Sequence, residues 1–118
     1  MNKRAFIDLA RKGWETLDYA QGDFYPEWNT LAEPQPSQAC AMGAAAYAAG
    51  MCQSVGAFID RNGLKEVATI IYMLSDAAGS KQAAIDALEE NLIPPEIFRA
   101  AVLTSGSLHL PSRKSHLI

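Results

Sequence analysis

The chain has 118 residues, of which 49% are hydrophobic and 19% are charged. These values are typical of one soluble globular domain with a single core, and they exclude a wholly disordered chain. The formal net charge of -3 provides no attraction toward phosphates or anionic lipids, so we expect neither nucleic acid nor a membrane as a partner.

The first predicted element is an amphipathic helix over residues 3–21, which Gly22 would end. Its apolar positions recur at spacings of three and four, at Phe6, Ala10, Trp14 and Leu17. The first fifteen residues, MNKRAFIDLARKGWE, hold no uninterrupted apolar stretch of the kind that a secretory signal needs. We therefore expect a cytoplasmic protein.

Residues 22–36 are predicted to form a loop, because they hold three prolines and no sustained period. The loop is unusually rich in aromatic residues. If they are exposed, these rings and a neighbouring acid would form a contact surface for a protein partner, at Phe24, Tyr25, Glu27 and Trp28. If they fold back, they would cover a core that is made mostly of small residues. The two interpretations are compatible.

The stretch SQACAMGAAAYAAG, residues 37–50, begins the predicted central helix, which Ser37 would cap and which would reach residue 59. One face carries almost only Ala and Gly, so a neighbouring backbone can approach closely. A break near Gly50 or Gly56 stays open, because each glycine costs a helix about 1 kcal/mol. Although residues 34–59 hold no charge, Ala and Gly dominate, and we predict a buried helix instead of a membrane span.

Residues 64–78 repeat apolar side chains at helical spacing, although residues 67–74 are β-branched enough for a buried strand. Ser80 would cap a helix over residues 81–91, and a short last helix would hold Ile97 and Phe98. The sequence thus predicts an all-α fold, a single compact domain of four or five helices around the central Ala/Gly-rich helix. The domain would span residues 1–104, and residues 105–118 would form a C-terminal tail or an arm that makes a homo-oligomer.

Two cysteines, Cys40 and Cys52, lie twelve residues apart, which on a continuous helix is about 18 Å and too far for a disulfide. Free thiols fit a reducing cytoplasm. Cys40 near a helix start could be a nucleophile with a tail histidine, His109, as base. The alternative, which we favour, is that Cys40 is a small buried hydrophobic residue.

Metal and cofactor chemistry has no support in the sequence. Cys40, Cys52, His109 and His116 do not show the short ligand spacings of a zinc site. No P-loop, dinucleotide-binding glycine pattern or HExxH motif occurs. We therefore expect no metal and no cofactor.

Four short motifs occur in order: Gly13-Trp14, Gln21-Gly22, Cys40-Ala-Met-Gly-Ala44 and Ser75-Asp-Ala-Ala-Gly79. With them the chain resembles, over about residues 10–92, a small uncharacterised family of bacteria and their phages. That family has Gly-Trp and Gln-Gly near the start, a Cys-x-x-Gly-Ala helix and an Asn-Asp-x-x-Gly turn. Here six residues separate Trp14 from Gln21, and Ser75 replaces the usual Asn. The resemblance implies a helical phage or bacterial accessory protein and no mechanism.

Because no coherent catalytic set is visible, the sequence favours a non-enzymatic protein-interaction module that binds a host protein. The aromatic loop and the tail would be its contact surfaces. The alternative is a small thiol-dependent enzyme with Cys40 as nucleophile and a tail histidine as base.

Overall fold

A computed structural model describes residues 1–92 of the chain. Within these residues the fold is largely all-α, as predicted, with five helices and two strands of two residues each. In chain order the elements are α1 (Lys3–Gly13), β1 (Asp18–Tyr19), β2 (Gln38–Ala39), α2 (Ala41–Ala48), α3 (Val55–Arg61), α4 (Ala68–Ala78) and α5 (Lys81–Asn91).

Helix α1 begins at Asn2, whose side chain accepts a 2.8 Å hydrogen bond from the amide of Ala5. The prediction that it continues to residue 21 is wrong, because the helix ends at Gly13. After a turn the chain enters β1, which pairs in parallel with β2. The backbone amide of Asp18 donates to the carbonyl of Ser37 at 2.9 Å, so these residues are held by a distant segment instead of by the helix.

Helix α2 is the centre of the core, and all of its residues from Ala41 to Ala46 are buried. The prediction that Ser37 caps it is wrong: Cys40 is the residue at its N-cap, because β2 uses the residues before it. The helix is also not continuous to residue 59. Gly50 has a left-handed backbone (φ 77°) and turns the chain, whereas Gly56 lies inside α3.

The break at Gly50 removes the basis for the 18 Å separation of the two cysteines. Both are nevertheless unbonded, with Cys40 buried and Cys52 half-buried.

The backbone of other segments contacts α2 at Gly43 and Ala44, which explains why these two residues are small. A Cβ on Gly13 of α1 would overlap the carbonyl group of Ala44, and a Cβ on Gly43 would lie 2.5 Å from the carbonyl oxygen of Phe24. Neither position has room for a methyl group. The predicted close approach to a smooth helix is therefore present.

Residues 67–74, for which a strand was an alternative, are helical from Ala68 onward. Helix α4 ends at Gly79, whose φ is 89°, and Ser80 caps α5 as predicted, with its side chain accepting from the amide of Ala83 at 3.1 Å. The apolar side chains of α5 and of its C-cap residue are buried: Ala84, Ile85, Leu88 and Leu92.

Several predictions concern the part of the chain outside residues 1–92. They are the short helix at Ile97 and Phe98, the domain end at residue 104 and the arm over residues 105–118. Among the described helices, none has the length and apolar character that crossing a bilayer would require.

Candidate functional site

The four motifs of the family resemblance meet around the N-terminal end of α2. The indole nitrogen of Trp14 donates to the carbonyl of Ala39 at 2.9 Å. The side-chain amide of Gln21 donates to the carbonyl of Asp76 at 2.7 Å, and the backbone amide of Gly22 donates to Oδ1 of Asp76 at 3.0 Å. Residues distant in sequence therefore form one connected cluster.

Tyr19 connects β1 to the end of α4 through hydrogen bonds. Its hydroxyl donates to the carbonyl of Ser75 and accepts from the amide of Gly79 at 3.0 Å. One phenol thus bridges the carbonyl of Ser75 and the amide of Gly79 at the end of α4. The Asp76 segment is held in place from both ends.

Ser75 supplies the cap that Cys40 does not. The Ser75 side chain is fully buried, and its Oγ accepts from the amide of Ala41 at 3.0 Å. The side chain of Cys40 makes no capping hydrogen bond. A first-turn amide of α2 is therefore satisfied by a side chain of α4, across the core.

The aromatic loop covers α2 with its first two rings. Tyr25 donates its hydroxyl to the carbonyl of Gly43 at 2.8 Å, and the Phe24 ring meets Tyr72 of α4 edge-on, with centroids 5.7 Å apart. Trp28 is half-buried against Tyr25, and Glu27 is exposed. The inward orientation of Phe24 and Tyr25 fits the interpretation that these rings cover the core. A contact of the aromatic loop with a protein partner stays a prediction.

A cavity of about 240 Å³ opens between this loop, the start of α2 and α4. It is lined by Gly22, Asp23, Phe24, Cys40, Tyr72 and Asp76. Sequence reasoning missed Asp23, Tyr72 and Asp76 as site residues. The available signal was the Ser75-Asp76 motif, which points to this place once it is set beside Gln21-Gly22.

Cys40 lines the cavity but is not activated. Only 4% of the residue is exposed, and burial raises the pKa of its thiol. The amides of Gly43 and Met42 oppose this rise, while the negative charge of Asp76 adds to it. The helix start therefore does not produce the thiolate that a nucleophile needs, and the thiol is neutral at physiological pH.

Within residues 1–92 the structure places no histidine beside Cys40, and the side chains that line the cavity with it include the carboxylates of Asp23 and Asp76. The predicted partner His109, and likewise His116, lies outside residues 1–92. Within that range, no three His, Cys, Asp or Glu side chains are grouped so that they could hold a metal ion.

The two carboxylates of the cavity each hold one backbone amide. Oδ1 of Asp23 accepts from the amide of Phe24 at 2.8 Å, and Oδ1 of Asp76 accepts from Gly22. Among the ion pairs of residues 1–92, none involves either side chain. Both carboxylates therefore have an oxygen available for a ligand.

We compared the chain with protein-family models, curated proteins and solved structures and found no match. The fold and site define a small helical protein with an acid-lined cavity. Membership of the phage and bacterial family stays a prediction from the motifs.

Proposed function

We propose that this protein is a non-enzymatic protein-interaction module, an accessory protein of bacteria or phages that binds a host protein. The observation that carries the proposal is a one-sided charge pattern: the chain has no Lys or Arg between Lys12 and Arg61. The acidic residues in that interval are all exposed, namely Glu15, Asp18, Asp23, Glu27, Glu33 and Asp60. Exposed acids in a segment without Lys or Arg favour a basic partner.

The outer part of the aromatic loop adds an apolar contact to this acidic surface. Leu31 is 97% exposed. Trp28 keeps part of its ring accessible while its indole nitrogen donates to the carbonyl of Glu33 at 3.3 Å. An aromatic or aliphatic anchor with a polar rim is the usual arrangement of a protein-binding patch.

Location and assembly belong to the same proposal. Two unbonded cysteines suit a reducing cytoplasm, where we place the protein. We further propose a homo-oligomer, formed through residues 105–118 if these act as an arm and not as a tail.

Site-specific photo-cross-linking tests the proposal. A photoreactive amino acid replaces Leu31 in one variant and Gln82, an exposed residue of α5, in the control. After irradiation in host cells, we expect one discrete protein adduct from position 31 and none from position 82. Equal adducts from both positions, or no adduct from position 31, would contradict the module.

A second candidate is a thiol-dependent enzyme, favoured by the position of Cys40 at the start of α2 and in the wall of the cavity. Iodoacetamide labelling of a Cys52→Ser variant separates the two functions, because only Cys40 then reacts. We expect protection at neutral pH until the protein unfolds. Rapid native-state labelling would favour the enzyme.

A further inference from the structure

We propose that the acid-lined cavity receives one arginine side chain of the protein partner, between Asp23 and Asp76. This inference rests on the proposed function and names the chemistry of its contact.

The size of the cavity favours a single side chain. Pockets for small-molecule ligands occupy roughly 300 to 1,000 Å³, and this cavity has about 240 Å³. A long side chain presented by a partner's surface needs less room than a complete metabolite. Gly22 forms part of the wall, and its lack of a side chain leaves space at the entrance.

The charges of the cavity favour a cation. Asp76 is fixed through Oδ1 by the amide of Gly22, and Asp23 is fixed by the amide of Phe24. Each carboxylate is thus oriented before the ligand arrives, which lowers the entropic cost of binding. A guanidinium can form paired hydrogen bonds with a carboxylate of this kind.

The remaining wall suits a planar cation. Phe24 and Tyr72 both line the cavity and contact each other edge-on. Aromatic rings attract Arg and Lys, but a guanidinium also stacks as a flat group and is more weakly hydrated than an ammonium. This preference decides for arginine over lysine.

The positive end of α2 does not oppose this occupant. The amide of Ala41 is satisfied by Ser75 Oγ. Cys40, which lines the cavity at the start of this helix, is a neutral thiol and adds no charge of either sign to the binding site.

Titration of the full-length, ¹⁵N-labelled protein tests the inference with three capped amino acids: N-acetyl-arginine methylamide, its lysine counterpart and its citrulline counterpart. Citrulline has nearly the shape of arginine without the charge. We expect saturable amide shifts at Gly22, Asp23, Phe24 and Asp76 with arginine, and at least fivefold weaker binding of the other two. Absent saturable shifts, or equal binding of lysine or citrulline, would overturn the assignment.

An Asp76→Asn variant removes one charge while its amide oxygen can still accept from Gly22, and Asp60→Asn makes the same charge change in α3, outside the cavity. We expect at least tenfold weaker arginine binding in the first and less than a twofold change in the second. Unchanged binding in Asp76→Asn, or an equal loss in both, would refute the pocket. If Asp76→Asn does not fold, Asp23→Asn replaces it, with the same expectation.

The two proposals fail in different ways. A position-31 cross-link whose yield is unchanged by Asp76→Asn would keep the interaction module and refute the arginine pocket. Arginine binding without any cross-link would keep the pocket and refute the partner contact at the loop.

Discussion

The core around α2 and the outer loop over residues 28–33 are built in different ways. The core around α2 is made by segments that hold one another: Gly13 and Gly43 bring backbones into contact, and Ser75 caps a helix from another element. The outer loop is held largely by itself, through hydrogen bonds between Asn29 and Glu33. The difference teaches that distant segments fix the shape of the core, whereas local hydrogen bonds shape the outer loop.

The largest effect is expected at the contact between α1 and α2. A Gly13→Ala change places a methyl group against the backbone of Ala44 and should lower the free energy of unfolding by about 3 kcal/mol. Urea unfolding followed by tryptophan fluorescence measures it. The matched control is Gly56→Ala in α3, where nothing lies within 4 Å, and which should stabilise by about 1 kcal/mol. If Gly13→Ala lowers the free energy of unfolding by no more than Gly56→Ala raises it, the close approach of the two backbones is contradicted.

A smaller effect should follow from removing the cap between elements. Ser75→Ala leaves the amide of Ala41 without its acceptor in a buried place, at a cost of about 2 kcal/mol. Ser54 is the matched control, because it stands at the N-cap of α3 without a side-chain cap, and Ser54→Ala should change stability by less than about 0.5 kcal/mol. Similar losses in both variants would show that the hydroxyl of Ser75 is unimportant.

The buried thiol of Cys40 predicts a modest dependence of stability on alkaline pH. Because burial raises its pKa in the folded protein, the unfolded chain loses this proton at lower pH. The stability that comes from the protonated thiol is complete below the unfolded pKa and is lost as pH rises through the folded pKa. As the pH rises above about 8, the wild type should therefore lose more stability than Cys40→Ala.

Thermal unfolding at a series of pH values measures this difference between the two proteins. Burial also raises the pKa of Tyr25 and of Tyr72, and the charge of an ionised Cys40 adds to both rises. Only the part caused by burial is shared by the two proteins, so the measured difference is that of Cys40 together with its coupling to these two phenols. Parallel curves for wild type and Cys40→Ala would mean that the thiol is accessible to water.

The smallest effect on stability is expected in the outer loop. Leu31→Ser removes an exposed apolar side chain and should change the free energy of unfolding by less than about 0.5 kcal/mol. Partner binding should weaken nevertheless, as measured by cross-linking from a neighbouring position, Thr30. A loss of stability comparable to that of Ser75→Ala would remove the contrast between the two regions.

Local signals in the sequence predicted the elements that are stabilised locally. Ser80 followed by an amphipathic run gave α5 its correct start, and the inward positions Phe6 and Ala10 of α1 are buried as their spacing predicts. Glycine at position 79 likewise marks the end of α4. In each case the residues that decide the structure lie within a few positions of it.

The sequence predictions are wrong where contacts with distant segments determine the local structure. Ser37 resembles a helix cap, but its carbonyl accepts from Asp18 of β1, and a two-residue ladder gives no periodic signal. The candidate site was beyond sequence reasoning for the same reason. Its cavity joins Asp23, Cys40 and Tyr72, which no spacing rule brings together, whereas the motif at Asp76 gave only a location along the chain.

One backbone feature of the aromatic loop has a practical consequence. Glu27 is the non-glycine residue with a positive φ (61°) among residues 1–92, and this conformation costs an L-amino acid about 1 to 2 kcal/mol. A glycine there would relieve that penalty and raise the free energy of unfolding, while removing one of the exposed acids that the proposed basic partner would contact. A single substitution at position 27 would therefore increase the stability of the protein and weaken the proposed partner binding.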